Sequence, residues 1–110
     1  MKQGEIWDVY FDPIKGSEQG GRRPAVIISG NLANANLNTV IVCPLTSKLK
    51  NYHGNLVVTP NDINGLSKKS EVMTVHIRSV SKERLKQKIG RFNSDELAVV
   101  IQSLNKIIKY

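Results

Sequence analysis

The feature that most limits what this chain can become is a change in the period of its apolar residues. Up to residue 78 they fall in short runs separated by Gly, Pro, Asn and Asp, whereas from Ser94 onward they recur every three or four residues. The first pattern belongs to strands closed by turns and the second to an amphipathic helix. Gly4-Glu5-Ile6-Trp7-Asp8-Val9-Tyr10-Phe11 predicts a strand that Asp12-Pro13 stops. Pro24 to Ser29 predicts a short buried strand with Pro24 at its first position. Thr39 to Thr46 predicts a third strand, with an end, bulge or edge at Pro44. Gly30 to Asn38, with its four asparagines, reads as a turn. Asn55 to Thr59 and Glu71 to Arg78 complete the strands, the last carrying His76 and Arg78 on one face. A short helix opens at Ser81 and stops at Gly90, and a final helix opens at Ser94-Asp95-Glu96. Its stripe of Leu97, Val100, Ile101, Leu104, Ile107 and Ile108 is the expected buried face.

Strands first and helices last predict a mainly β architecture, an antiparallel barrel-like sheet with a short helix and a C-terminal α-helix. A length of 110 residues suits one domain spanning 1–110 with a modest core. No apolar run approaches the roughly 18 residues of a membrane span, and the first five residues lack a signal segment. A soluble, cytoplasmic protein is expected, with no membrane association. Cys43 has no second cysteine to pair with, and His53 and His76 stand far apart. Neither a structural metal nor a cofactor is expected.

Sixteen Lys and Arg against nine Asp and Glu leave a net charge of +7 and a pI near 9.8, the electrostatic footprint of a polyanion binder. The excess is uneven. The stretch from Ser67 to Arg91 carries eight of the cations and only Glu71 and Glu83 as acids. Charge by itself does not separate nucleic-acid binding from mere solubility.

The loop Gly16-Ser17-Glu18-Gln19-Gly20-Gly21-Arg22-Arg23-Pro24 has the materials to hold a phosphate: glycines that admit close backbone approach, hydroxyl and amide donors, and guanidinium forks. Spacing alone suits a solvated hairpin equally well. Arg23 is the better candidate of the two arginines, because it abuts rigid Pro24 and the strand. Thr46 and Ser47 present two hydroxyls at a strand end, able to donate to a phosphate oxygen but also ordinary in a turn. His76 and Arg78 offer an imidazole and a cation, and Tyr10 or Tyr52 could stack on a base. The chain lacks a P-loop signature.

Taken together, Gly4-Glu5-Ile6-Trp7, Asp12-Pro13, Gly16-Ser17-Glu18-Gln19-Gly20-Gly21, Arg23-Pro24-Ala25, Pro44-Leu45-Thr46-Ser47 and Ile77-Arg78-Ser79-Val80 resemble the MazF/PemK family of toxin endoribonucleases over nearly the whole chain. The resemblance implies an SH3-like barrel with added helices, a homodimer that binds single-stranded RNA in a groove between subunits, and a cognate antitoxin as partner. It also implies Arg23 and Thr46 as the catalytic pair, with Ser17, Gln19 and Ser47 as RNA contacts; His76 and Arg78, read from their place on the basic side of the sheet, are expected as further RNA contacts. The implied chemistry is metal-independent attack of an RNA 2′-hydroxyl on its neighbouring phosphate. Some members place an acid and an arginine as base and acid on the strand after the long loop. Here that stretch reads Met73-Thr74-Val75-His76, so His76, or no side chain at all, would take the proton. Two rivals share the resemblance or the charge: a toxin on the same fold that poisons DNA gyrase by binding protein, and a simple RNA-binding module. The set of Arg23, Thr46 and Gln19 favours the enzyme over both.

Overall fold

The apolar runs at 25–28 and 42–45 do not alternate, and the fold explains why: here the sheet is buried on both faces. Val26, Ile28, Cys43 and Leu45 point into one core with Ile6, Phe92 and Val100, while Ala25, Ile27, Val40 and Val42 point into a second with Val9, Phe11 and Leu85. Successive side chains of a strand face opposite ways, so a strand between two cores must be apolar at every position. The computed structural model describes residues 1–11 and 21–109. Its strands are β1 (Glu5–Phe11), β2 (Gly21–Ile27), β3 (Thr39–Thr46), β4 (Val57–Val58), β5 (Ser70–Val72), β6 (Arg78–Ser81) and β7 (Leu85–Arg91). Two helices, α1 (Asn31–Asn36) and α2 (Ser94–Ile108), complete the described elements with 3-10 turns at Thr74–His76 and Lys82–Arg84. The antiparallel sheet runs β4-β5-β3-β2-β1-β7, with β6 also paired to β3.

The mainly β, barrel-like architecture with a C-terminal helix matches expectation, but several local readings are corrected. The strand expected over Glu71 to Arg78 is broken: β5 ends at Val72, a 3-10 turn covers Thr74–His76, and β6 starts at Arg78. The break lies where β3 changes neighbours. Its first half pairs with β6 (Thr39↔Ser81 to Val42↔Arg78) and its end with β5 (Leu45↔Val72, Thr46↔Glu71). Pro44 sits at the change. Its carbonyl accepts from the Met73 amide at 2.8 Å, and its missing N–H points to the same side, where the ladder is already interrupted.

The helix expected from Ser81 to Gly90 is a strand instead. Ser81 does act as a cap, its hydroxyl accepting from the Glu83 amide at 3.3 Å, but only for the turn Lys82–Arg84. Leu85–Arg91 then joins β1, burying Leu85 in the second core, because tertiary pairing outweighs local propensity. Two register shifts against β1, at Ile89 and Lys86, give β7 an extra residue each time and curl the sheet. The loop before β5 presses backbone to backbone on this bulged strand. A Cβ at Gly65, whose φ is +64°, would fall on the Ile89 carbonyl, and one at Gly90 on the Ile63 carbonyl.

Residues 31–36, read as a turn, form α1, held to the sheet by the buried Asn34, whose amide donates to the Ser29 carbonyl at 2.8 Å. Pro24 is internal to β2 and not its first residue, since pairing with β1 continues through Arg23 and Arg22 to Gly21. The final helix forms as expected, but its cap is Asn93. Asn93 and Glu96 make a reciprocal capping box, worth about 1 kcal/mol. Val100 is fully buried and Leu97, Ile101 and Leu104 partly so, whereas Ile107 and Ile108 lie exposed beyond the sheet. No helix of the described residues is long and apolar enough to cross a membrane.

Candidate active site

Two adjacent strands that part company create a recess between them. β2 and β3 pair at Ile27↔Val42, Val26↔Cys43 and Ala25↔Pro44, and there the pairing stops. Extending the same register would set Pro24 against Leu45 and Arg23 against Thr46. Instead β2 continues with β1 through Val9↔Arg23 and Tyr10↔Arg22, and β3 continues with β5 through Thr46↔Glu71. Pro24 has no amide hydrogen with which to close the fork. The gap is a cleft of about 420 Å³ lined by Arg22, Arg23 and Pro24 on one wall and Leu45, Thr46, Ser47, Lys48 and Lys50 on the other, with Leu66, Ser67, Lys68 and Ser70 beyond.

Every ionisable side chain in that lining is basic. Arg22 makes an ion pair with Asp8 across the β1–β2 ladder, which ties one guanidinium down beside the opening. Arg23 is half-buried in the wall. Thr46 is 6% exposed, and its hydroxyl oxygen accepts from the Lys48 amide at 3.1 Å, so its own proton remains available to an acceptor in the cleft. Ser47 is exposed at the rim. A recess with guanidinium, ammonium and hydroxyl donors converging, and no acid among its described lining, suits a phosphate whose charge grows during a reaction.

The wall formed by residues 48–50 is held from below by Glu71. Its side chain is closed off from solvent, although it lies just beneath the surface. Oε1 accepts from the Lys50 and Asn51 amides at 2.7 and 2.8 Å, and Oε2 from the Tyr52 amide at 3.1 Å and Asn55 Nδ2 at 2.8 Å. Loss of water by burial works to raise its pKa, but these four donors outweigh that and hold it below the ordinary carboxylate value of 4.5.

The residues read from sequence thus separate. Arg23, Thr46 and Ser47 come together in the cleft. Ser17 and Gln19 lie outside the described residues. His76 is half-buried on the 3-10 turn and Arg78 on β6, neither in the cleft lining; the Arg78 guanidinium sits 5.4 Å from the centre of the Phe11 ring. Tyr10 is exposed with Arg84 5.9 Å over its ring, and Tyr52 is exposed on the loop held by Glu71. Cys43 is buried in the first core, its thiol pushed up to about 12 by burial and therefore inert. Sequence reasoning missed Lys48, Lys50, Lys68 and Glu71. The three lysines stand in polar stretches whose path is set by long-range pairing, and the one usable signal for Glu71 is an acid opening an otherwise apolar run.

Known proteins share both sequence and shape with this chain. A family model described as PemK-like, MazF-like toxin of type II toxin-antitoxin systems matches residues 2–108. The endoribonuclease MazF9 of Mycobacterium tuberculosis is 36% identical over 109 aligned residues, covering 94% of this chain and 92% of that protein. A crystal structure of MazF from Deinococcus radiodurans superposes with a TM-score of 0.84 at 29% identity, covering 98% of this chain and 96% of the other. A MazE-MazF crystal structure from the same organism gives 0.78 at 31% identity, with 98% and 95% covered. The resemblance carried by the sequence motifs therefore holds along the whole length, and the chain belongs to the PemK-like, MazF-like toxin family of type II toxin-antitoxin systems.

Proposed function

We propose that the protein is the endoribonuclease of its toxin-antitoxin pair, cutting single-stranded RNA without a metal ion. The 2′-oxygen bonds to the neighbouring phosphorus and the bond to the 5′-oxygen breaks. The 2′-hydroxyl gives up its proton and the departing 5′-oxygen gains one, leaving a 2′,3′-cyclic phosphate and a 5′-hydroxyl. The observation that carries this reading is the fork, which gathers Arg23 from β2 and Thr46 and Ser47 from the end of β3 into one basic recess.

In this reading Arg23 and Thr46 are the catalytic residues. The phosphorane carries more charge on its non-bridging oxygens than the substrate does. A guanidinium fork and a hydroxyl aimed there strengthen their hold as the reaction proceeds, which lowers the barrier. Ser47, with Ser17 and Gln19 of the loop before β2, contacts the RNA. His76 and Arg78 contact it outside the reaction centre, in a groove completed by a second copy of the chain. Lysines 48, 50 and 68 hold the flanking phosphates. DNA is not cut, because it lacks the nucleophile. An antitoxin neutralises the activity by covering this face, a partnership consistent with the MazE-MazF relative.

The test is incubation of purified protein and an Arg23→Ala variant with a long single-stranded RNA in EDTA, followed by mapping of the ends. The expected result is cleavage by the unmodified protein to cyclic-phosphate and 5′-hydroxyl ends, and a loss of about 10²-fold or more in the variant. Intact RNA with the unmodified protein would reject the nuclease reading, and cleavage that requires magnesium would reject its mechanism.

A further inference from the structure

The residues flanking the cleft raise a question that the catalytic pair does not answer: what keeps an exposed, lysine-bearing segment in place beside a strand end. The backbone amides of Lys50, Asn51 and Tyr52 converge on one carboxylate, with Asn51 at a φ of 54°. Successive amides that bend around an anion through a left-handed residue form a nest, and here the anion is the protein's own Glu71. Glu71 stands opposite Thr46 in the β3–β5 ladder. The residue paired with Thr46 therefore also holds, through its carboxylate, the segment that carries Lys50.

The hold extends further. Asn55 donates to Glu71 through Nδ2, while its Oδ1 accepts from the Thr74 hydroxyl at 3.0 Å and the Ser103 hydroxyl at 3.3 Å. Thr74 and Ser103 are 1% and 4% exposed. A polar chain thus runs from helix α2 through Asn55 and Glu71 to the cleft wall, and among the described residues no buried side-chain polar atom lacks a partner. Glu71 faces away from the first core, in which its strand neighbour Val72 packs, and its carboxylate gathers donors from the 50–55 segment instead. What the carboxylate supplies is a fixed course for residues 48–55.

We infer that Glu71 is a positioning residue of the RNA site: it holds the Lys48–Asn55 segment so that Lys48 and Lys50 face Arg23 across the cleft. This rests on the nuclease reading above. Glu71 touches no substrate, so its removal acts mainly through substrate binding and much less through the chemical step. In Glu71→Gln one carboxylate oxygen becomes an amide that cannot accept from the backbone, and the nest opens.

The experiment measures kcat and KM for RNA cleavage, together with hydrogen exchange of the Lys50, Asn51 and Tyr52 amides, in the unmodified protein, Glu71→Gln and Asn51→Val. Asn51→Val leaves the carboxylate in place but puts a branched side chain at a positive φ, so it opens the same nest from the other side. Both variants are expected to speed exchange at the three amides and to raise KM about tenfold or more, with kcat changed far less. Adding either substitution to Lys48→Ala/Lys50→Ala is expected to raise KM little further, because the groups being positioned are already gone. Both lysines are exposed, so that background folds even if Glu71→Gln alone does not. Slow exchange in both variants, an effect confined to kcat, or full additivity with the lysine variant would overturn the inference. Absence of cleavage by the unmodified protein would instead reject the nuclease reading, with exchange at the three amides still reporting on the nest.

Discussion

Two regions of the molecule are strongly basic, and they spend their charge differently. Along β7 and the turn before it, cations are engaged locally. Lys88 pairs with Glu5 at 3.1 Å, Arg84 lies over Tyr10, and Lys86 donates to the Glu83 carbonyl at 3.0 Å. In the fork between β2 and β3, cations from three separate segments face one hollow. The stretch from Ser67 to Arg91, which dominates the charge count, contributes only Lys68 to that hollow. Net charge therefore says little about where cations gather, while strand geometry decides which of them share one hollow.

The sharpest way to break this contrast is to compare Arg23→Ala with Arg91→Ala in the cleavage assay. The first is expected to lower kcat/KM by about 10²–10³-fold and the second to leave it unchanged. Next comes the salt dependence of RNA binding. Lys48→Ala/Lys50→Ala/Lys68→Ala should flatten the slope of log K against log salt by about 2, at roughly 0.7 per phosphate contact. The matching Lys86→Ala/Lys88→Ala/Arg91→Ala set should flatten it much less, and equal slopes would erase the distinction.

Acid unfolding gives a smaller effect with one carboxylate in each region. For Glu5, burial works to raise the pKa, but hydrogen bonds from Trp7 and the Lys2 amide, with Lys88 close by, leave it lowered, as Glu71 is lowered by its nest. A lowered native pKa means that the unfolded chain binds more protons as the pH falls below 4.5, so stability is lost in that window. Denaturant titrations from pH 7 to pH 3 should show a shallower loss in Glu71→Gln than in the unmodified protein. The smallest effect is expected for Lys88→Ala. Its half-exposed pair with Glu5 should be worth less than about 1 kcal/mol in denaturant melts, and a larger value would mean that the β7 edge is as organised as the cleft.

Much of this was legible in the residues, for reasons that also explain the rest. β1, β2, β3 and α2 follow from composition and period, because each is apolar enough to declare its burial unaided. Arg23, Thr46 and Ser47 lie near the ends of those strands, but their choice as site candidates rests on the family resemblance, since spacing alone suits a hairpin and a turn as well. Leu85 to Arg91 was misread because Ser81 supplies a genuine cap signal that holds for one turn only, after which β1 captures the chain. Residues 71–78 were misread because the break comes from β3 exchanging neighbours at Pro44, a long-range event that leaves no local trace. Glu71 looks like a solvated acid on a strand, and only the fold reveals that three amides from twenty residues upstream close over it.

The pairing of β1 with β7 also bears on the order in which a ribosome can finish this molecule. The ladder from Glu5↔Arg91 to Val9↔Leu85 joins the first described strand to the last, so one edge of β1 stays open until β7 has been made. Helix α2, whose Ser103 hydroxyl ends the polar chain behind the cleft, emerges later still. Arg23 and Thr46 thus leave the ribosome well before β7 and α2. For a member of this toxin family, the polar chain behind the cleft is therefore completed only after the strands that form the cleft have been made.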